Sequence, residues 1–242
     1  MRRLVVALLG ATAMSITANA ADMPVKAPAY KAPPPPVVYS WRGCYLGIAG
    51  GGNWGRSRHD NSAAPITDTF NLSGGILGGT LGCNYEIPLT TGLWLAGIEA
   101  DFSWTNKKGS AADIAPFNTA FASETSEKWL GTVRGRLGAV LGPMHTELLY
   151  VTSGIAYARA DITVTGPTIS ASESKTRTGW TVGGGWEHKF TPTISGKLEY
   201  LYVDLGDTAY FNPPPAGFAD RANGVRLYDH IVRAGLNWRF WP

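Results

Sequence analysis

From Leu93 to Trp104 the chain alternates strictly, with Trp94, Ala96, Ile98, Ala100, Phe102 and Trp104 in one set and Leu93, Leu95, Gly97, Glu99, Asp101 and Ser103 in the other. Alternate residues of a strand point to opposite faces, so one face is apolar with aromatics at both ends and the other carries acids. An apolar band of this length, bounded by Trp, fits a strand crossing a bilayer with a polar interior behind it. Trp129 to Leu141 repeats the pattern with opposite charge: Trp129, Val133, Leu137, Ala139 and Leu141 share one face with Gly131 and Gly135, and Lys128, Thr132, Arg134 and Arg136 share the other. If the two strands are antiparallel neighbours, Glu99 and Asp101 face the same lumen as Arg134 and Arg136, which supplies the pairing a buried carboxylate requires.

The same period-two template predicts eight strands, near residues 41–54, 72–87, 92–104, 128–141, 146–161, 177–190, 194–205 and 227–240. Connections after the second, fourth and sixth are short, at 88–91, 142–144 and 191–193. Those after the first, third, fifth and seventh are long and polar, at 55–71, 105–127, 162–176 and 206–226. An even strand number with short turns at one end and long loops at the other is the pattern of outer-membrane barrels. The predicted fold is therefore all-β, an eight-stranded antiparallel up-and-down transmembrane β-barrel with short periplasmic turns and long extracellular loops. A soluble lipocalin-type barrel is the competing eight-stranded solution, but it would expose the aromatic face to water.

The N-terminus reads as an export signal over residues 1–20. Arg2 and Arg3 precede the apolar run Leu4 to Leu9, and Ala18-Asn19-Ala20 supplies the small residues for cleavage between Ala20 and Ala21. That run is far shorter than the ~20 residues of a spanning helix. Residues 21–40, with Pro24, Pro28 and Pro33 to Pro36, read as an extended periplasmic linker and a possible docking segment for a cell-wall or periplasmic partner. Residues 41–242 form the barrel domain.

The chain holds 21 basic and 18 acidic residues, and loss of Arg2 and Arg3 leaves 19 against 18. This near balance argues against nucleic acid as a partner. Thirty glycines argue against long helices, and in a narrow barrel they make room for long lumenal side chains from opposite strands. Inward-facing positions include Glu99, Asp101, Glu187 and Glu199 with Arg134, Arg136, Arg177, Lys189, Lys197, Arg233 and Arg239. Charges of both signs in so small a lumen should condense into ion pairs that plug it. A small porin-like channel, favouring anions, is the alternative. Trp41, Trp54, Trp94, Trp104, Trp129, Trp180, Trp186, Trp238 and Phe240 are expected at the membrane interfaces.

Several segments together carry a family resemblance. Trp41-Arg42-Gly43-Cys44-Tyr45-Leu46-Gly47, Leu81-Gly82-Cys83-Asn84-Tyr85, Gly97-Ile98-Glu99-Ala100-Asp101-Phe102, Glu199 to Gly206 and Val232 to Phe240 resemble the small outer-membrane immunogenic barrels of alphaproteobacteria. The resemblance covers the mature chain and implies an OmpA-like eight-stranded barrel with structural and surface-antigen roles. In some relatives it implies haemin binding, for which His59, Tyr210, Phe211 and Phe218 are the candidate loop residues. The last strand is similar to the signal read by the barrel assembly machinery, although Trp241-Pro242 extends past the usual terminal Phe.

Two cysteines in an exported chain suggest one disulfide, and a register with Cys44 opposite Cys83 puts Trp54 opposite Ser73. The alternative is a pair of buried thiols. Histidines at 59, 145, 188 and 230 lie in different strands or loops without a serine–acid pattern or metal-ligand spacing, so neither catalysis nor a cofactor is expected. His59 is expected to be a solvated loop residue. The functional expectation is a structural or surface role in the outer membrane with lipid as the main partner. Loop-mediated capture of a ligand or adhesion is the further alternative.

Overall fold

A computed structural model describes residues 38–61, 64–212 and 223–241, so the signal and most of the linker expected from the sequence lie outside the described residues. Among the described residues there are nine antiparallel strands: β1 (Gly43–Asp60), β2 (Phe70–Leu89), β3 (Gly92–Thr105), β4 (Lys108–Ala112), β5 (Ala122–Leu141), β6 (Glu147–Thr165), β7 (Ser170–Lys189), β8 (Ile194–Tyr210) and β9 (Asn223–Trp241). β3 and β4 both lie between β2 and β5, separated by Asn106 and Lys107, so together they fill one place in an eight-place ring. The ring closes where β1 pairs with β9.

Following partners round the ring from Tyr45 through Gly82, Glu99, Arg134, Gly154, Thr181, Val203 and Asp229 returns to β1 at Gly55, ten positions further along. That stagger tilts the strands and leaves an interior that side chains can fill. Gly92 and Gly142 take positive φ, 132° and 81°, where the chain turns into β3 and out of β5.

The long loops expected from the sequence are in large part strand. β5, β6 and β7 are 20, 19 and 20 residues long, about twice what a tilted strand needs to cross a bilayer. Their outer halves project beyond the aromatic ring formed by the exposed Trp54, Trp104, Trp180 and Tyr157. The sense of alternation inverts there. In β6, Leu149, Val151, Ile155 and Tyr157 face outward inside the belt, whereas Ala158, Ala160, Ile162 and Val164 face inward beyond it. The solvent outside the strand changes from lipid to water, so the apolar face must change sides.

Two further expectations are corrected. Trp41, placed at the interface by sequence, is fully buried at the turn end of the barrel, where Nε1 donates to the His145 carbonyl at 2.8 Å and the ring packs with Leu95, Val140, Leu148 and Tyr150. It precedes β1, so the outward parity of that strand does not apply. The end of the predicted linker is also held by the barrel: Tyr39 N–H donates to the Met144 carbonyl at 3.0 Å, and Ser40 Oγ donates to Glu86 at 3.1 Å.

Candidate functional site

The lumen holds the chemically richest cluster. β3 and β5 set Glu99 directly opposite Arg134. Glu99 Oε1 accepts from Arg134 at 2.5 Å, while Oε2 accepts from Arg136 at 3.3 Å, Lys197 at 3.0 Å and the Tyr45 hydroxyl at 2.6 Å. Asp101 accepts from Arg134 at 2.8 Å, Arg233 at 3.0 Å and Thr132 at 2.5 Å. Glu199 joins Arg134 at 3.0 Å to Arg233 at 2.7 Å and also accepts from Tyr150. Glu187 accepts from Arg136 at 2.9 Å, Ser195 at 2.6 Å and Asn237 at 2.8 Å. Four carboxylates thus face four cations, all buried.

Two glycines open the space this layer occupies. A Cβ on Gly82 would lie 2.4 Å from the Tyr45 ring, and one on Gly185 would lie 2.5 Å from the Tyr150 hydroxyl. The two tyrosines therefore lie flat across the lumen, and Tyr150 receives the Arg136 guanidinium over its face at 3.9 Å.

Three residues expected in this network stand apart from it. Arg177 sits beyond the aromatic ring and donates to the backbone carbonyls of Gly206 and Val225. Lys189 and Arg239 lie at the turn end, donate to the Ser40 carbonyl and stand over the Trp41 ring at 5.0 Å and 5.7 Å. Each lies on an inward position, but at a height where the nearest acceptors are carbonyls.

A second buried cluster was not anticipated from the sequence. Lys107 Nζ donates to Glu127 at 2.9 Å and to Asp229, and Asn53 Nδ2 donates to Glu127 at 3.3 Å. The register shift between Glu127 and Trp129 is responsible. It turns Glu127 inward and leaves Lys128, expected on the lumenal face, outside with its side chain 55% exposed. The acid-then-base order Glu127-Lys128 before Trp129 was the available signal, but without the bulge its parity is ambiguous.

Apolar layers bracket both clusters. Trp41, Leu95, Val140 and Leu148 close the turn end, Leu130, Ala158, Leu201, Val203 and Ile231 fill the middle, and Ile162, Val164, Tyr210, Phe211 and Val225 fill the outer end. The haem candidates Tyr210 and Phe211 are therefore buried core residues, while Phe218 lies outside the described residues. His59 is buried as well, not solvated, with Nε2 2.9 Å from Thr125 Oγ1. It lies five positions beyond Trp54, outside the membrane belt, where burial and then the charge of Arg177 push its imidazole down to about 4.

Cys44 and Cys83 are joined by a disulfide between β1 and β2, with Trp54 opposite Ser73 in the same register. Trp54, Trp104, Trp180, Trp186, Trp238 and Phe240 are exposed on the outer face, and Trp94 and Trp129 are half-buried on it.

The family model described as "Outer membrane protein beta-barrel domain" matches residues 5–240. The chain is 33% identical to a 31 kDa outer-membrane immunogenic protein of Brucella melitensis, over 95% of this chain and 96% of the relative. It is 32% identical to a 22 kDa outer membrane protein of Rhizobium leguminosarum, over 83% of this chain and 79% of the relative. Among solved structures it is similar to the outer membrane protein OprG of Pseudomonas aeruginosa, with 15% identity, a TM-score of 0.47 and coverage of 84% of this chain and 100% of that one.

Proposed function

Because this chain belongs to the outer membrane protein β-barrel family and resides in the outer membrane, we propose that it is a plugged barrel that serves envelope integrity and surface character rather than solute passage. One observation carries this reading: the four carboxylates and four cations of the lumenal layer are mutually bonded and lie between apolar layers. Most of these charges hold two or more partners at once, so opening a path through the layer means breaking several buried interactions together. The immunogenic relatives support exposure of the outer strand ends at the cell surface.

In this reading residues 1–20 are a Sec-type signal removed between Ala20 and Ala21, the Pro-rich segment after it reaches into the periplasm toward a cell-wall or periplasmic partner, and β9 engages the barrel assembly machinery. The role is non-enzymatic and requires no cofactor. Planar-bilayer recording of the purified chain tests it. The expected record has no discrete, reproducible conductance steps, and a stable unitary conductance would overturn the proposal in favour of a small channel.

A further inference from the structure

The lipid-facing belt is built mostly of large residues, yet on one side it is hollowed out. Outward-facing Gly79 of β2, Ala100 of β3 and Gly131 of β5 form the floor of a groove of about 740 Å³, walled by Leu46, Leu81, Phe102, Trp104, Val133 and Tyr157. Gly79 and Gly131 are not required by the chain's own packing. A Cβ on Gly79 would meet nothing nearer than 3.8 Å, and one on Gly131 nothing nearer than 3.5 Å. Open lipid-facing glycines occur elsewhere, as at Gly135, but here Gly79 and Gly131 flank Phe102 in one cross-strand row beside Ala100, and the hollow on either side of that ring is wide enough to take an acyl chain.

What lies at the outer end of the groove names the occupant. Trp104, Trp129 and Arg159 occupy one cross-strand row at its rim, and the bulge that turns Glu127 inward puts Lys128 outside beside them. Arg159 and Lys128 are 51% and 55% exposed and share the single carboxylate Asp161, at 3.6 Å and 3.9 Å, which leaves the pair with a positive excess. Lys108, exposed on β4 one strand away, adds to it. Cations set just beyond an aromatic ring and above an apolar groove match an amphiphile with a phosphate at its head and acyl chains below. The long strand ends mark this as the outward leaflet.

We propose that this groove is a specific site for a phosphorylated glycolipid of the outer leaflet, with acyl chain on the Gly79–Gly131 floor and phosphate on Lys128 and Arg159. The inference adds a ligand to the envelope role and depends on it only for which leaflet is outward; the lipid measurement is independent of the conductance record.

The test is native mass spectrometry of the full mature chain, released from detergent after incubation with diphosphoryl lipid A, dephosphorylated lipid A or phosphatidylglycerol. One diphosphoryl lipid A should stay bound at collision energies that strip the other two. Lys128→Gln with Arg159→Gln should lower its retention at least tenfold, and Gly131→Leu should do the same by filling the groove. Gly135→Leu is the matched control: Gly135 is another lipid-facing glycine with open space, its nearest atom 3.9 Å from a Cβ, and it lies off the groove. Its retention should equal that of the unaltered chain. Heat-dependent mobility on gels shows that each variant is folded. Equal retention of dephosphorylated lipid A or of phosphatidylglycerol, full retention by the folded Gly131→Leu chain, or a lipid-free dimer that Gly131→Leu dissolves would each overturn the proposal.

Discussion

The two buried charge clusters solve the same problem with different margins. In the layer around Glu99, each of Glu99, Asp101 and Glu199 contacts at least two cations. In the cluster around Lys107, a single ammonium serves both Glu127 and Asp229. A buried charge is costly mainly when its last partner is removed. The first cluster can therefore lose a member and rearrange, whereas the second cannot.

The largest expected effect follows at Lys107. Lys107→Met should lower the unfolding free energy by about 3–5 kcal/mol, since two carboxylates then remain buried without a cation. Urea titration in detergent, followed by the heat-modifiable gel shift, measures it, and adding Glu127→Gln to Lys107→Met should restore part of the loss. Arg134→Met comes next, at roughly 2 kcal/mol, because Glu99 keeps Arg136 and Lys197, and Asp101 and Glu199 keep Arg233. If Arg134→Met proved the costlier of the two, the argument from shared partners would fail.

Space rather than charge separates the third case. Gly82→Ala drives a methyl into the Tyr45 ring and should cost about 1–3 kcal/mol by overpacking. In a Tyr45→Ala background the same substitution should cost far less, and denaturant midpoints of the four chains of that cycle would show it.

The smallest effect at neutral pH concerns His59, beyond both clusters. Its imidazole is neutral when folded, with the folded value lowered to about 4. The unfolded chain therefore takes up the proton first. Stability from burying it is intact above an unfolded pKa of about 6.5 and is lost as pH falls from there toward about 4. Protection factors at Thr125 and Val225, taken against the unstructured exchange rate at each pH, should fall over that window, and His59→Gln should flatten the dependence.

The contrast between the clusters also explains what the sequence disclosed. Glu99, Asp101, Arg134 and Arg136 were legible because β3 and the inner half of β5 keep unbroken alternation across the lipid belt, where a slip would expose charge to hydrocarbon. The ring position of these strands followed from the same regularity, whereas the sequence left Cys44 and Cys83 open between a bridge and two thiols, and the register of β1 on β2 decides for the bridge. Lys107, Glu127 and Asp229 were not legible as a cluster. Lys107 lies in the break between β3 and β4, and Glu127 points inward only through the bulge at Lys128. A bulge changes parity without changing composition. The outer strand halves were read as loops for a related reason, since their polar residues face water on the side that the belt reserves for apolar ones. Trp41 shows the limit of composition: an aromatic near a strand end suits an interface, but only three-dimensional placement reveals it as a stopper.

The pairing of β1 with β9 joins residues near the two ends of the described chain. Until β9 has been synthesised, β1 has an open edge, and in lipid an open edge has no water to satisfy it. Closure must then be a late event in the life of each molecule. A fragment lacking β9 cannot rehearse it, and the edge of β1 has to be kept from pairing wrongly until that strand arrives.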